Sequence, residues 1–459
     1  MPDTAAAEPS GQGAGRPDAA GCGGQEANVP DTTAEPSGPV RARGARTGTA
    51  PGSAGAGSAP AAWARSGAMA LTGYPGGPPA VTPGSPALVV ERALARVAAA
   101  AAARTGHAPA LPGVSVLGER AAFTGFTRNA PWSCGGRFRA LPARDGYVGL
   151  SLARPDDIAL VPALVETDDC ADPWAALAAW ARELPARAAD ERIALLGLPG
   201  GALDSPSARE PVRRGTGGRR ARRTERPRVI DFSALWAGPL CTHLLTRTGA
   251  EVIKVESRTR PDGARTGPTG FYDLMHHGQY SVTVDFDDPA GRENLARLVA
   301  GADLVVEASR PRALRRLGLD AEALVASGVS WLSITARGRG SDRVGFGDDI
   351  AACAGLHGTA DGTPIPGGDA LADPLTGAVA AAEAAEALLD ERARLIDISM
   401  HDLAAAAAAG PVPAHTVFPR DGRWWVECEA GTFPVREPAP RAAAGSAPPP
   451  GAHALETFL

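Results

Sequence analysis

Between residues 229 and 410, short apolar runs alternate with segments of helical length, and this pattern restricts the fold more than any other feature of the chain. Short apolar runs bounded by turn residues are typical of buried strands, and longer amphipathic segments are typical of helices. The predicted strands are RVIDFSAL, AEVIKVES, YSVTVDF, DLVVEAS and VSWLSITARG, and the predicted helices between them are GPLCTHLLTRTG, PAGRENLARLVAGA and PRALRRLGLDAEALVASG. Elements that alternate in this way require right-handed crossovers and a mostly parallel sheet. The sequence therefore predicts an α/β fold with a Rossmann-like, doubly wound, mostly parallel sheet.

Several functional classes are disfavoured by simple features of the sequence. The turn after the first predicted strand reads SALWAGPL and lacks the GxGxxG pattern, so a nicotinamide-dependent enzyme is not predicted. The formal net charge of −5 gives no overall attraction to nucleic acid or to an anionic membrane. The six cysteines contain no CxxC pair, so neither a metal site nor a disulfide framework is predicted.

Targeting signals are also missing from the sequence pattern. No apolar run approaches the ~20 residues that span a bilayer. The N-terminus shows no basic region followed by an apolar stretch, so we expect no signal peptide. We therefore expect a cytoplasmic protein that binds neither nucleic acid nor membrane.

Outside the strand–helix region, composition divides the chain into four further parts. Residues 1–66 contain few large apolar side chains, so we predict a disordered low-complexity tail. Residues 67–204 predict a helix in SPALVVERALARVAAAAAAR and a second, smaller α+β domain with a hairpin in GGRFRALPARDGYVGLSLARPDD. Residues 205–228 carry eight arginines from Arg213 to Arg228 without interleaved aromatics, which favours a solvated basic linker over a nucleic-acid patch. Residues 411–459 predict a hairpin followed by a Pro- and Ala-rich end.

The stretch VIDFSALWAGPLCTHLLTRTGAEVIKVES resembles the start of the class III CoA-transferase family, which includes formyl-CoA transferase, carnitine CoA-transferase and alpha-methylacyl-CoA racemase. The resemblance continues in order through YSVTVDFDDPAGRENLARLVAGADLVVEASRPRALRRLGLDAEAL, SITARGRG, DALADPLTG and RLIDISMHD. PVREPAPRAAAGSAPPPGAHALETFL resembles the closing segment of the family, where the chain returns to the large domain. MALTGYPGGPP and GGRFRALPARDGYVGLSL resemble later family segments, although they stand first here. The chain therefore resembles a rearranged or partly duplicated member, with residues 67–204 as a degenerate copy.

The resemblance places the reacting aspartate of the family at Asp373. PPAVTPGSPALVVERAL can be aligned with TPIPGGDALADPLTGAVAAAEAAEAL, so that Ser85-Pro86 falls opposite Asp373-Pro374. Serine and aspartate are both good helix N-caps, and proline suits the next position. The local sequence alone favours a cap at Asp373, whereas the resemblance implies a nucleophile that forms an aspartyl anhydride and an aspartyl-CoA thioester. We expect the helix dipole to keep this carboxylate ionised, by ~0.3–1 kcal/mol.

The racemase branch of the family uses a histidine, and its position falls at Asp348 in this sequence. Because neutral imidazole is a better base near pH 7 than a carboxylate with a pKa of ~4, its absence favours transfer over racemisation. Asp348 and Asp349 could form a paired acid site, but the local sequence favours solvated loop acids. His357 is interpreted as a turn or surface residue.

For CoA itself, the resemblance implies contacts at the ends of the predicted strands. Arginines suit the phosphates of CoA because they can bind phosphate in a bidentate manner. Lys254 and Glu256 are expected to fix a strand end rather than touch ligand, and the glycines of ARGRG and GGDALAD are candidates for oxyanion donors. The implied CoA-binding residues are Trp236, Ala237, Arg258, Val284, Ala308, Ser309, Arg316, Thr335 and Arg337.

These observations lead to one hypothesis and two alternatives. We expect a CoA-transferase that uses Asp373 to move CoA between an acyl-CoA and a carboxylic acid, with no tightly bound cofactor. An acyl-CoA racemase or epimerase and a non-catalytic CoA-binding partner subunit stay open. The interlocked dimers of the family imply a homodimer.

Overall fold

The computed structural model describes residues 58–167, 170–207, 209–220, 224–309 and 311–459. All of them belong to one unit that extends from Val40 to Leu459. The sequence predicts a disordered tail for residues 1–66, and residues 1–57 of this segment lie outside the described residues. Its last part is helical, so the prediction of disorder is wrong there: Ala59–Arg65 form a helix whose Trp63 is buried in the core.

The N-terminal half contains a long helix and a separate small domain. The small domain is a three-stranded antiparallel sheet in the order β1-β2-β3, packed against short helices around its own apolar core. The hairpin and the long helix predicted from the sequence are both present. The elements are α1 (Ala59–Arg65), α2 (Pro86–Thr105), α3 (Glu119–Thr124), β1 (Phe138–Pro142), β2 (Tyr147–Ser151), α4 (Pro155–Ala159), α5 (Val161–Val165), α6 (Pro173–Arg182), α7 (Ala186–Leu195) and β3 (Gly200–Ala202).

The large sheet has seven strands in the order β4-β12-β9-β8-β5-β6-β7, in which only the β4–β12 pair is antiparallel. This order confirms the predicted α/β fold with a Rossmann-like sheet. The elements that build it are β4 (Val212–Arg219), β5 (Arg228–Asp231), α8 (Ala237–Arg247), β6 (Glu251–Ser257), α9 (Thr269–His276), β7 (Tyr280–Val284), α10 (Pro289–Ala300), β8 (Leu304–Glu307), α11 (Pro311–Arg316), α12 (Ala321–Ser327), β9 (Ser330–Thr335), α13 (Gly347–Cys353), β10 (Gly358–Ala360), β11 (Thr363–Ile365), α14 (Ala372–Ala387), β12 (Arg392–Ser399) and α15 (Met400–Ala408).

The arginine-rich segment 205–228 is not a solvated linker throughout, and the prediction is wrong for residues 212–219. These residues form β4, the edge strand of the large sheet, with Leu395 of β12 opposite Gly215. Arg214 reaches from this strand to Glu383 of α14, with Nε 2.6 Å from Oε2. The arginines lie largely on the exposed edge, where charged side chains discourage pairing with other chains.

Helix α14 lies at the centre of the main core. Its alanines are buried on all sides, because α2, α8 and the sheet pack around it. The buried Glu383 is the exception, and it is held between Arg96 of α2 and Arg214 of β4. A helix of small side chains thus lets three elements approach it closely, and one charged group ties two of them together.

The C-terminal residues form a small antiparallel sheet and then return to the large sheet. The strands are β13 (Thr416–Arg420), β14 (Arg423–Cys428) and β15 (Gly431–Pro434). The amide of Ala447 donates to Asp273 at 2.8 Å, and the carbonyl of Phe458 accepts from Arg228 Nη1 at 2.8 Å. In the described part of the chain, no helix is both long and apolar enough to cross a membrane.

Candidate active site

Asp373 lies in the first turn of α14, but its side chain does not cap the helix. The helix begins at Ala372, Leu371 occupies the N-cap position, and Asp373 is the second helical residue. The backbone closes the starting turn, because the amide of Asp373 donates to the carbonyl of Ala370 at 2.8 Å. Ser85 occupies the N-cap position of α2 directly before Pro86, as predicted, but its side chain makes no cap hydrogen bond. The cap interpretation is therefore wrong for Asp373, whereas for Ser85 the position is confirmed and the side-chain hydrogen bond is missing.

The starts of α13 and α14 lie against each other, and an aspartate from each accepts a hydrogen bond from a backbone amide near the start of the other. Asp348, in the first turn of α13, accepts a hydrogen bond from the amide of Ala370 at 2.8 Å. Asp373 accepts in return from the amide of Gly347. A Cβ atom at residue 347 would lie 2.5 Å from Asp373 Oδ2, so this close approach requires glycine. The two acids are thereby held beside each other at two helix starts.

Helix α3 of the N-terminal half supplies the cation of this acid cluster. Arg120 Nε donates to Asp369 Oδ2 at 2.9 Å, and Arg120 Nη2 donates to Oδ1 of the same carboxylate, which is fully buried. The hydroxyl of Ser133 donates to Asp348, and Cys134 Sγ lies 3.4 Å from Asp369 Oδ1. Residues from the N-terminal half therefore complete the acid cluster within the same chain.

Burial changes the protonation of Asp373. It raises the pKa of this carboxyl to about 7; the guanidinium of Arg120 opposes the rise, and the charges of Asp348 and Asp369 add to it. The helix dipole is worth only ~0.3–1 kcal/mol, whereas a shift of one pKa unit corresponds to about 1.4 kcal/mol. The expectation that the dipole keeps Asp373 ionised is therefore wrong, since burial outweighs the dipole and raises the pKa of this carboxyl to about 7.

The two neighbouring acids of α13 are not solvated loop residues, and that expectation is also wrong. Burial raises the pKa of Asp348 to about 6, and the charge of Asp369 adds to the shift while Arg120 opposes it. Asp349 is buried and accepts from Ser151 Oγ at 2.7 Å. Burial raises the pKa of Asp349 to about 7, although its hydrogen bonds oppose the shift.

Asp373 forms part of the wall of a pocket of about 190 Å³ at the carboxyl ends of β5, β8, β9 and β12. Strand β5 lies between β6 and β8, so the strand order reverses at this point of the sheet. Ligands of open α/β sheets bind at such a switch point. The residues around the pocket are Arg154, Ala234, Leu235, Ala237, Ala308, Ser309, Ile334, Thr335, Ala336, Ser341, Arg343, Val344, Gly345, Phe346, Asp373 and Met400.

Four of the nine residues implied in CoA binding line this pocket together with Asp373. Ala237 begins α8, Ala308 and Ser309 follow β8, and Thr335 ends β9. They come together because parallel strands place the residues after their carboxyl ends along one edge of the sheet.

The other five implied residues lie outside this pocket, and their contact with CoA stays a prediction. Trp236 is buried, packs edge-on against Phe271 and carries the Arg120 guanidinium 4.9 Å from its ring centroid. Val284 is buried in the core at the end of β7. Arg258 and Arg316 are exposed, and the Arg337 carbonyl accepts from Arg209.

Lys254 and Glu256 fix the end of β6, as the sequence suggests. Lys254 is buried, and its Nζ lies 2.9 Å from Asp262 Oδ2 and 2.9 Å from the carbonyl of Ser233. Glu256 accepts from the amide of Asp262 and from Arg265. This network holds the turn after β5 that forms one side of the pocket.

His357 is buried rather than exposed, contrary to the expectation of a surface residue. Its Nε2 lies 3.0 Å from Asp204 Oδ1, and its Nδ1 lies 2.8 Å from the carbonyl of Gly358. It does not line the pocket around Asp373. The small domain is joined to the β10–β11 hairpin by this contact.

The glycines proposed as oxyanion donors do not line the pocket. The amide of Gly368 donates to Thr72 Oγ1 at 2.9 Å, and a Cβ atom at Gly338 would collide with Arg209. Ala336, the first residue of the ARGRG segment, and Gly345 do line the pocket. The oxyanion donors therefore stay a prediction.

Sequence reasoning missed four charged residues of this region. Arg120, Arg154, Arg343 and Asp369 belong to four separate segments, and only folding brings them to one region. No local pattern marks the three arginines, because each is a common residue type in an ordinary loop or helix end. Asp369 alone had a signal, since it lies in the GGDALAD segment.

Residues 226–424 match the model of CoA-transferase family III. This segment is a CoA-transferase family III domain. The family III domain contains the large sheet from β5 to β12 with α13, α14 and Asp373, while α2, α3 and the small domain lie before it.

Curated relatives of the family III domain are CoA-transferases by name. The chain is 31% identical over 207 residues to the succinyl-CoA–D-citramalate CoA-transferase of Chloroflexus aurantiacus, which covers 41% of this chain and 52% of that protein. It is 29% identical over 164 residues to the formyl-CoA:oxalate CoA-transferase of Afipia carboxidovorans, which covers 33% of this chain and 39% of that protein. The chain thus spans about half or less of the length of these two relatives.

Among solved structures, the chain resembles a CAIB/BAIF family protein from Brucella suis. The identity is 26%, the match covers 44% of this chain and 65% of that chain, and the TM-score is 0.40.

Proposed function

We propose that the protein transfers CoA from an acyl-CoA thioester to a carboxylic acid, with Asp373 as the covalent nucleophile. The observation that carries this proposal is the position of Asp373. It is the only acid among the described residues that line the pocket at the switch point of the sheet. The names of the relatives, which are CoA-transferases, support the same reaction class.

The first half of the reaction exchanges the acyl group for CoA on the enzyme. The deprotonated Asp373 attacks the thioester carbonyl, the carbon–sulfur bond breaks, and CoA leaves as a thiolate, so that an aspartyl–acyl anhydride is formed. The thiolate then attacks the Asp373 carbonyl of the anhydride. The donor carboxylate departs, and an aspartyl-CoA thioester is left on Asp373.

The second half repeats these steps in reverse with the acceptor. Its carboxylate attacks the aspartyl-CoA carbonyl and expels the thiolate, which then attacks the acceptor carbonyl of the new anhydride. The product acyl-CoA leaves, and the Asp373 carboxylate is restored without net proton transfer. Burial helps this cycle because a carboxylate with a raised pKa is a stronger nucleophile once it is deprotonated.

Trapping of the covalent intermediate tests the proposal. The protein is incubated with a panel of acyl-CoA thioesters and hydroxylamine, and we expect mass spectrometry to find a hydroxamate on Asp373. Asp361→Asn is the control for Asp373→Asn, and it should still form the hydroxamate on Asp373. Asp361 is an exposed turn residue with a φ of 49°, a conformation that asparagine also adopts. An unmodified Asp373 with every thioester, in protein that binds CoA, would exclude covalent transfer and favour a CoA-binding partner subunit.

A second candidate is proton abstraction beside the thioester carbonyl. It is favoured by Asp348, because burial raises its pKa to about 6 and makes it a better base than an ordinary carboxylate. Deuterium uptake at the alpha carbon of an acyl-CoA in D₂O, without exchange of CoA between acids, would support this reaction in place of transfer.

The proposal includes a homodimer, as the family resemblance implies. The acid cluster is nevertheless built from residues of a single chain. Sedimentation velocity shows whether the protein is a dimer, and activity measured over the same protein concentrations shows whether the site needs the second copy. Activity that follows the dimer fraction would show that the site depends on a second copy.

A further inference from the structure

We propose that Arg154 and Arg343 bind a second carboxylate of the substrate, so that the acids handled by this protein are short dicarboxylic acids. This inference rests on the proposed transfer at Asp373 and adds the class of acid. Both arginines line the pocket that contains Asp373. They are the only cationic side chains among the described residues of its wall.

Arg154 is held in place by the small domain. It follows β2, and its Nη2 and Nε donate to the buried Asp157 at 2.6 Å and 3.1 Å. Its guanidinium also lies 5.3 Å from the ring centroid of Phe346 in the pocket wall. Among the described residues no hydrogen bond engages Arg154 Nη1, so this donor is available to a ligand.

Arg343 is held from the same side. Its Nη1 and Nη2 donate to Asp190 at 3.0 Å and 2.7 Å, and Nη2 also donates to the carbonyl of Gly200 at 3.0 Å. Within the described chain, Nε has no hydrogen-bond partner. The carboxylates behind the two arginines fix their position, and a fixed cation loses less side-chain entropy when it binds an anion.

The charges in the pocket are arranged for a ligand with two anionic ends. A carboxylate must approach Asp373, which stands beside Asp348 and Asp369, and this acid cluster contains one cation, Arg120. Repulsion by these acids disfavours a simple monocarboxylate. A second carboxylate paired with Arg154 or Arg343 supplies attraction in the same pocket without neutralising the nucleophile.

The size of the pocket separates a second carboxylate from the phosphates of CoA. A volume of about 190 Å³ corresponds to a space roughly 7–10 Å across. In CoA, about a dozen bonds separate the sulfur from the nearest phosphorus, so that an extended chain places them on the order of 15 Å apart. With the sulfur at Asp373, the diphosphate lies beyond this pocket, whereas the far carboxylate of a four-carbon diacid lies within it.

The names of the two relatives described above bear on the class of acid. Succinyl, citramalate and oxalate derive from dicarboxylic acids, whereas formyl derives from a monocarboxylic acid. These substrates belong to those proteins, and the assignment of the arginine pair rests on the pocket alone.

The test compares succinyl-CoA with butyryl-CoA, which has the same chain length but no second carboxylate. We expect the ratio of their kcat/KM values to favour succinyl-CoA and to fall about 10–100-fold in Arg154→Gln and in Arg343→Gln, as loss of a charged hydrogen bond predicts. The ratio is measured within each variant, so partial unfolding cancels. Arg187→Gln, which removes an exposed arginine of α7 paired with Glu191, is the control and leaves the ratio unchanged.

Calorimetric binding of free succinate, butyrate and CoA provides a second readout that does not require turnover. We expect succinate to bind more tightly than butyrate, and both arginine variants to remove the difference. An unchanged ratio and unchanged succinate binding in both variants overturn the inference. Loss of CoA affinity with equal loss for both thioesters also overturns it and assigns the arginines to phosphate. If no thioester forms an adduct while succinate binding depends on the arginines, the proposed transfer fails and the anion site stands.

Discussion

The starts of α2 and α14 show how similar local sequences acquire different roles. Both helices begin near a proline and continue in alanine-rich turns, and they pack against each other. The start of α2 is closed: the Ser85 amide donates to the carbonyl of Ala407 at 2.9 Å, and a Cβ atom at Gly84 would collide with the same carbonyl. The start of α14 opens on the pocket at the edge of the sheet. The proposed chemistry therefore depends on where a helix start lies, and not on its capping pattern.

The largest expected effect comes from exchanging the reactive groups of the two helix starts. Asp373→Asn should lower CoA transfer by about 10³-fold or more, because the amide cannot form the anhydride. Ser85→Asp in that background should restore nothing, since residue 85 does not line the pocket that contains Asp373. Transfer of CoA between two acids is measured by chromatography. Recovery of activity in the double variant would contradict the assignment of the pocket.

Removal of Arg120 should break the acid cluster at α14 without touching the start of α2. Arg120→Gln leaves the fully buried Asp369 without its ion pair, and we expect a loss of about 3–5 kcal/mol in the free energy of unfolding. The pKa of Asp373 should rise above about 7, because the charge of Arg120 opposes the effect of burial more than the hydrogen bond from the Gly347 amide does. The pH–rate profile should therefore move to higher pH, and Arg120→Lys should move it partly back. A profile that stays in place would show that Arg120 does not act on Asp373.

The contact between the two helices themselves can be weakened at Glu383. Arg96 Nη2 lies 2.7 Å from Glu383 Oε1, and Arg214 Nε lies 2.6 Å from Oε2. Glu383→Gln should cost about 1.5–3 kcal/mol in urea unfolding, as expected for charged hydrogen bonds to a buried group. Glu386→Gln, at a more exposed partner of Arg96, should cost about 0–1 kcal/mol. Equal losses for both variants would argue against a special role of the buried carboxylate.

The charge of Asp373 should make stability depend on pH, whereas Ser85 should not. A carboxyl whose folded pKa is raised to about 7 contributes stability that is present below its unfolded pKa of ~3.9 and is lost as the pH rises through about 7. The free energy of unfolding of Asp373→Asn, taken relative to that of the wild type, should increase by about 1–3 kcal/mol as the pH is raised from 5 to 8. This range allows for the partial exposure of the site. Urea unfolding at both pH values measures the difference. A constant difference would mean that Asp373 has an ordinary pKa.

The smallest effect is expected at the closed helix start. Ser85→Ala should change stability by about 0–0.5 kcal/mol, less than the ~1 kcal/mol lost with a true cap, because the hydroxyl makes no cap hydrogen bond. Activity should be unaffected. A loss above about 1 kcal/mol in thermal or urea unfolding would indicate that Ser85 caps α2 in solution.

Much of the fold was predictable from local pattern. The strands from β5 to β9, and the helices α8 and α10, occupy the segments that the alternation of apolar runs predicts, because buried parallel strands are written as short continuous apolar stretches. Strand β4 was missed, since its arginines and glycines lack any apolar pattern and the strand is held by pairing with β12. The predicted helix PRALRRLGLDAEALVASG is two helices, α11 and α12, because residues 317–320 interrupt it.

The sequence by itself determined the sheet, the family of the large domain and Asp373 as the candidate nucleophile, since these depend on periodicity and on a continuous run of motifs. Only the tertiary structure decided how Asp373 is protonated and what faces it. Its raised pKa results from burial beside Asp348 and Asp369, and Arg120 arrives from a helix about 250 residues earlier in the chain. Arg154 and Arg343 likewise meet in one pocket because the small domain folds back onto the sheet edge. Burial and long-range charge pairs are properties of the packed chain, and no local stretch of sequence encodes them.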